Sequence, residues 1–236
     1  MARLARVLSI DTPHHVTQRG NARQVIFDSD ADRLVYLDLL QTNCQAQRLS
    51  LLGYCLMSNH VHLIAVPLHP ESLPLALKYT HARYAAYFNA RHASCGHVWQ
   101  GRYYSCPLDQ TRLWTALRYT ELNPVRAGMI EAPAEYPWSS AAAHCGLGAT
   151  PPWLNMTPFL GAWRPDAWRA YLASGETLAE LDAIRRNTHT GRPLGSPDFV
   201  VQLEKALRRR LAPQKGGRSP KQEPDERQTP MAFTAF

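Results

Sequence analysis

Residues 49–67, Leu-Ser-Leu-Leu-Gly-Tyr-Cys-Leu-Met-Ser-Asn-His-Val-His-Leu-Ile-Ala-Val-Pro, constrain the fold of this chain most. Two apolar runs meet at Ser58-Asn59, a pair that favours a turn. The segment therefore predicts a strand over Leu49–Met57 and a second over His60–Pro67, joined as a hairpin. The second strand opens with His60 and His62 on either side of Val61. Successive strand side chains point to opposite faces, so the two imidazoles share one face and Val61 takes the other. That arrangement suits a divalent metal, because a general core would fill both positions with aliphatics and every buried imidazole needs a hydrogen-bond partner. A bare His-x-His is also a common accident of sequence, and the rest of the chain has to decide between the two.

A second informative segment is Leu113-Trp-Thr-Ala-Leu-Arg-Tyr-Thr-Glu-Leu-Asn-Pro-Val-Arg-Ala-Gly128. Asp109 or Thr111 offers an N-cap, and Pro124 disfavours helix from Asn123 onward. The last helical turn is thus expected to carry Tyr119 and Asn123 as i and i+4 neighbours. At about 100° per residue, Leu113 and Leu117 form the buried stripe. Tyr119 falls off that stripe beside Thr115 and Ala116, in a shallow, accessible place. A surface tyrosine followed by an Asn cap has the same pattern.

Taken together, these segments resemble the single-tyrosine HUH transposases, and in particular the REP-associated tyrosine transposases of bacteria. The resemblance is carried by Met57-Ser-Asn-His-Val-His62, Gly96-His-Val-Trp-Gln-Gly-Arg102, Leu117-Arg-Tyr-Thr-Glu-Leu-Asn-Pro-Val-Arg-Ala-Gly128, Tyr136-Pro-Trp-Ser-Ser140 and Gly191-Arg-Pro-Leu-Gly195. It implies that His60 and His62 are metal ligands, Asn123 the third ligand and Tyr119 the nucleophile, with Mg²⁺ or Mn²⁺ as the cofactor. It also implies a 5′-phosphotyrosine product with a free 3′-hydroxyl. The partner it implies is single-stranded DNA carrying hairpins of palindromic repeats, with a short guide contacted by the region from His14 to Arg23.

The chemistry explains why such residues are wanted. To cut a strand and later rejoin it without outside energy, an enzyme side chain rather than water must attack the phosphorus. The phenol, with a free pKa near 10, loses its proton during attack. The metal withdraws charge from the phosphate oxygens and holds the phosphorus in line, so the histidines act as ligands and not as bases. By softness, two imidazoles and an amide oxygen favour manganese, cobalt or zinc, whereas phosphates and waters completing an octahedron suit magnesium or manganese.

Composition agrees with a nucleic-acid partner. The chain carries 26 Lys plus Arg against 19 Asp plus Glu, a formal charge of +7, and such a field attracts phosphates nonspecifically. Residues 205–221 hold Arg208, Arg209 and Arg210 among other cations and no acid, which makes a basic arm. With Arg19, Arg23, Arg102 and Arg126 and with His14, these three arginines form the candidate DNA-binding set, although an ordinary surface ion pair is a competing role for an arginine. The five cysteines form no Cys-x-x-Cys pair, which argues against a closed zinc site and for reduced thiols. With no apolar run near membrane-spanning length, a soluble cytoplasmic, nucleoid-associated bacterial protein is expected.

The expected organisation is α+β, a ferredoxin-like antiparallel sheet with helices on one face and a mostly helical C-terminal extension. Residues 1–130 form the expected catalytic domain, 131–211 the extension and 212–236 a basic disordered tail. A first strand covers His14–Arg19, with His15, Thr17 and Arg19 on one face. Ser29 or Asp30 caps a helix reaching about Arg48, with Leu34, Leu37, Leu40 and Cys44 at helical spacing. A second helix covers 71–92, with Leu73, Leu77, Tyr84 and Phe88 inward and Pro74 in its first turn. A short strand lies within 96–106. Helices over 177–187 and 197–211 follow, the latter started by Ser196 and Pro197.

Trp99 and Gln100 could stack on or read a flipped base, but a packed Trp99 is the preferred role, and His81, His92, His97, His144 and His189 read as structural or surface histidines. Two rivals to a transposase stand: a hairpin-binding regulator that does not cut, and a metal hydrolase using water, for which Tyr119 is dispensable. A monomer is favoured over the homodimer of the compact insertion-sequence relatives, because of the long C-terminal region.

Overall fold

In a computed structural model, which describes residues 6–212, the hairpin forms as expected, β2 (Leu49–Met57) pairing antiparallel with β3 (His60–Pro67) and Met57 opposite His60. It is the outer half of a four-stranded sheet ordered β2-β3-β1-β4, in which β1 (His14–Arg19) and β4 (Tyr104–Pro107) complete the antiparallel pairings. Helix α1 (Asp30–Ala46) joins β1 to β2 and α2 (Ser72–Arg91) joins β3 to β4, giving the βαββαβ order of a ferredoxin-like fold.

The alternation of each strand sorts its side chains between two layers. Val16, Leu56, Val61, Leu63 and Ala65 face α1 and α2, where they pack on Tyr36, Leu40, Leu73, Leu77 and Tyr84. These two helices are the expected one-face layer. Helix α1 starts at Ser29, whose side chain and that of Asp32 form a capping box. Leu34, placed on its apolar stripe from spacing, is instead exposed, and Tyr36 takes the buried position.

The opposite face carries Leu52, Ile64 and Cys106, and α3 (Gln110–Glu121) lies across it through Leu113, Ala116 and Leu117. Asp109 is its N-cap, accepting from Arg112 N at 2.8 Å. Gly53 lets α3 come close, since a Cβ on that residue would stand 2.3 Å from Leu117 Cδ1. Pro124 does not stop the helical path at Asn123. After a break at Leu122 the chain makes another turn, α4 (Asn123–Arg126), with Pro124 in its first turn, where a missing N–H costs little.

Beyond Gly128 the chain forms α5 (Ala141–His144), α6 (Thr157–Ala162), α7 (Pro165–Ala173), α8 (Leu178–Thr190) and α9 (Pro197–Leu207). Phe159, Trp168, Leu172 and Ile184 from this region cover the outer side of α3. In consequence Tyr119, expected in an accessible place, is only 7% exposed, and even Arg118 and Glu121 on the same helix are buried. Glu121 accepts from Ser140 Oγ at 2.6 Å and Trp168 Nε1 at 2.9 Å, and pairs with His144 Nδ1 at 2.5 Å.

Helix α8 starts at Thr177 with a capping box to Glu180 and ends at Gly191, which adopts φ +74°. Helix α9 starts at Ser196 as expected but ends before 211. Arg208 takes a left-handed φ of +47°, and the chain turns so that Leu211 packs on Val7 and Leu203. The strand expected within 96–106 is limited to β4, while Trp99 is buried, bridges Gly20 and donates Nε1 to His81 O at 2.8 Å. All but the first residue of the expected tail lies outside the described residues. Among the described residues no helix is long and apolar enough to cross a membrane.

Candidate active site

On the α3 side of the sheet, strand register sets Thr17 opposite His62, Arg19 opposite His60 and Tyr104 opposite Thr17. His15, two residues before Thr17, shares that face. These residues, with Tyr119, Asn123 and Arg126 from the α3–α4 segment and Arg185, Thr188 and His189 from α8, line a cavity of about 610 Å³.

His60 and His62 stand edge to face, with ring centroids 5.0 Å apart. The Nδ1 atom of each is engaged, that of His60 by Asn59 Oδ1 at 2.6 Å and that of His62 by His15 Nε2 at 2.9 Å. The described residues give neither Nε2 a hydrogen-bond partner. A metal-binding imidazole has this pattern, one ring nitrogen held and the other offering its lone pair. Burial, reinforced by the charges of Arg19 and Arg126, lowers the His60 pKa to about 4. Burial also holds His62 well below the usual imidazole range, with His60, His15 and Arg126 acting in the same direction. Both rings are therefore neutral near pH 7, the state a metal requires.

Tyr119 stands against these rings. Its ring centroid lies 5.6 Å from those of His62 and of His15, edge to face with both. The guanidinium of Arg126 lies over the phenol at 4.2 Å, donates Nη2 to Tyr119 O at 2.7 Å and pairs with Glu176. Asn123 follows from Pro124, which has no N–H to give to Thr120 O. The Asn123 Nδ2 atom donates to that carbonyl at 3.2 Å and to Tyr119 O at 3.0 Å. Two carbonyls can only accept, so the amide nitrogen must face them, and Oδ1 is left as the atom able to ligate. Among the described residues no group of three or more His, Cys, Asp or Glu is placed to hold a metal. Two imidazoles and an amide oxygen fall below that count, and they fit a cation whose other positions go to phosphate and water.

The structure thus gathers His60, His62, Tyr119, Asn123, Arg19, Arg23 and Arg126 around one cavity. His14, expected to contact DNA, is fully buried on the opposite face, with Nδ1 on Thr12 O at 2.8 Å. Its pKa is lowered to about 4, chiefly by burial. The strand's alternation places its neighbour His15 in the cavity instead. Arg102, Arg208, Arg209 and Arg210 do not line it. Gln100, which the sequence offers as a reader of a flipped base, lines the site, as do Tyr104, Arg185, Thr188 and His189, which the sequence does not point to. His189, read as structural or surface, stacks on Tyr104 with centroids 5.1 Å apart. Beyond Gln100, only His15 carried a signal, its shared face with Thr17 and Arg19. Of the other histidines set aside, His81 and His144 are buried, and His92 pairs with Asp28 at 3.1 Å.

Fold and site together define a ferredoxin-like domain in which paired histidines face a tyrosine across a basic cleft. Residues 10–123 match the model of a transposase family described as "Transposase IS200 like". A solved structure of a REP-associated tyrosine transposase bound to a REP hairpin shares the fold, with a TM-score of 0.51 at 14% identity. The match covers 64% of this chain and 89% of that one. The crystal structure of a candidate transposase from Deinococcus radiodurans R1 aligns at 18% identity and a TM-score of 0.36, covering 56% of this chain and 100% of that one. No curated protein matches the chain.

Proposed function

We propose that this transposase-family protein is a metal-dependent single-strand DNA endonuclease and strand transferase acting at hairpin-forming palindromic repeats. The observation that carries the reading is the phenol of Tyr119 set against His62 within one chain. No rearrangement and no second subunit is needed to bring them together, which favours a monomer. In this reading residues 1–130 are the catalytic unit, and 131–211 cover the tyrosine helix and close one side of the cavity.

Tyr119 Oη attacks the scissile phosphorus. The phenolic O–P bond forms, the P–O3′ bond breaks, the phenol gives up its proton and the departing 3′ oxygen takes one, leaving a 5′-phosphotyrosine. Later attack by a 3′-hydroxyl reverses these bonds and rejoins strands. Arg126 keeps the phenol in place by stacking on it and by holding the backbone at the end of its helix. Arg19 and Arg23 line the cavity and give charge to meet the DNA backbone. When bound, Mg²⁺ or Mn²⁺ on His60 Nε2, His62 Nε2 and Asn123 Oδ1 supplies the charge withdrawal that the phosphate needs. Hairpin DNA is the substrate class because the REP-associated transposase of like fold was solved on a REP hairpin.

The test is incubation with labelled single-stranded hairpin DNA and Mn²⁺, followed by a denaturing gel. The native chain is expected to form a covalent protein–DNA band. Tyr119→Phe is expected to lose both that band and cleavage while keeping hairpin binding. A variant that cuts normally would remove Tyr119 as nucleophile, and hairpin binding by the native chain without any adduct would favour a regulator that does not cut.

A further inference from the structure

Behind His62 lies a hydrogen-bonded file that the transposase reading does not use. His62 Nδ1 meets His15 Nε2 at 2.9 Å, and His15 Nδ1 meets Thr188 Oγ1 at 2.7 Å. The two imidazole planes are within 8° of each other, and His15, His62 and Thr188 are all at most 5% exposed. His15 comes from β1 and Thr188 from α8. Thr188 lies beyond residues 10–123, the segment that matches the family.

With both rings neutral, only two proton arrangements satisfy the file. In one, Thr188 donates to His15, His15 to His62, and the outward nitrogen of His62 carries a hydrogen that bars a metal. In the other, His62 Nδ1–H donates to His15 Nε2, His15 Nδ1–H donates to Thr188 Oγ1, and the lone pair of His62 Nε2 faces the cavity. The hydroxyl can take either role, so the file accommodates the ligating arrangement without stranding a buried polar atom. Its contacts on two sides also fix the plane of the His62 ring.

We propose that His15 and Thr188 are positioning residues for His62, a relay that sets its tautomer and ring plane for metal binding and makes α8 a working part of the site. This rests on the metal-dependent reading above, but it is read without DNA. Partners of this kind change metal affinity by about 10- to 100-fold when removed.

The experiment has two arms on the full chain. In the metal-free protein, long-range ¹H–¹⁵N spectra of the imidazoles report which nitrogen of His62 is protonated, and Nδ1 is expected. Electron paramagnetic resonance of free Mn²⁺ then gives the dissociation constant for native, His15→Phe, Thr188→Val and Thr188→Ser chains. His15→Phe is expected to weaken Mn²⁺ binding by about 10- to 100-fold. The isosteric Thr188→Val is expected to weaken it less, about threefold to tenfold, with Thr188→Ser restoring it. If His15→Phe fails to fold, the Thr188 pair decides alone. A His62 protonated at Nε2, Mn²⁺ affinity within about twofold of native in the folded variants, or no Mn²⁺ binding by the native chain overturns the relay. Loss of DNA cleavage chemistry with the relay intact would overturn only the proposed function.

Discussion

Arg126 lies over the ring of Tyr119, with its guanidinium carbon 4.2 Å from the ring centroid, and also donates to the backbone carbonyl of the same residue. One side chain therefore restrains both the phenol and the helix end that carries it. Its charge is balanced by Glu176, whose side chain is 4% exposed and whose pKa is raised by burial.

Replacing Arg126 by Gln leaves the Glu176 carboxylate buried without its cation. Destabilisation of about 3 kcal/mol is expected, with partial recovery when Glu176→Gln is added. Urea unfolding of the single and double variants at pH 8 measures it. Hairpin cleavage by the single variant is expected to fall at least about tenfold, because the phenol loses its stacking partner. Native stability and rate in the single variant would remove this role.

His62→Ala takes away one of the two imidazoles proposed as metal ligands and leaves His15 Nε2 without its partner. Cleavage is expected to lose its dependence on Mn²⁺ and fall to the metal-free background. A Mn²⁺ titration of cleavage checks this, and an unchanged response to Mn²⁺ would remove the metal site.

Glu121 sits at the centre of a buried polar cluster formed by Ser140, His144 and Trp168. Glu121→Ala strands His144 Nδ1 and Trp168 Nε1, while Ser140 Oγ keeps the Tyr54 backbone, and is expected to cost about 3–5 kcal/mol. Glu121→Gln, which keeps a hydrogen-bonding oxygen, is expected to cost less. Thermal unfolding distinguishes the two, and equal midpoints for Glu121→Ala and the native chain would contradict the assignment.

His81 is buried against Tyr36, whose hydroxyl lies 3.1 Å from Nε2. Burial, with Arg6 adding to it, lowers the His81 pKa to about 3, against an ordinary value of 6.5. The contribution of this lowered group is complete above pH 6.5 and is lost as pH falls toward 3, because only the unfolded chain takes the proton. Between pH 7 and pH 5 the native chain should lose about 2 kcal/mol through this residue. His81→Gln should lack that part of the slope, as urea unfolding at the two pH values would show. Parallel slopes would place the proton uptake elsewhere.

Local chemistry accounts for what the sequence made legible. The β2–β3 hairpin, the cap at Ser29 and the shared face of His60 and His62 each follow from a few adjacent residues. The burial of Tyr119 does not. Helix α3 has one apolar stripe by spacing, yet Trp168 and Ile184, far along the chain, cover its other side. Pro124 removes one N–H and interrupts the ladder at Leu122, but the backbone there stays in the αR region and the Asn123 side chain takes the freed carbonyl, so the chain makes a further turn. His14 and His15 differ only in parity. Strand alternation places His15 beside Thr17 and Arg19, whereas the resemblance points to the whole region from His14 to Arg23 and carries no information about which face a residue takes. The contact between His15 and Thr188 spans 173 positions in sequence and has no local signature.

The hydrogen of Gly53 leaves the space on β2 that the Leu117 side chain fills. It lies on β2, away from the proposed ligands and nucleophile, and a Cβ there would have to displace the end of the Leu117 side chain on α3 and crowd Ser140 Oγ at 3.2 Å. A methyl group there would force Leu117 to repack beneath α3, the helix that carries Tyr119, while every proposed site residue stayed in the sequence. The seating of the tyrosine helix is therefore sensitive to a position that contributes no functional group.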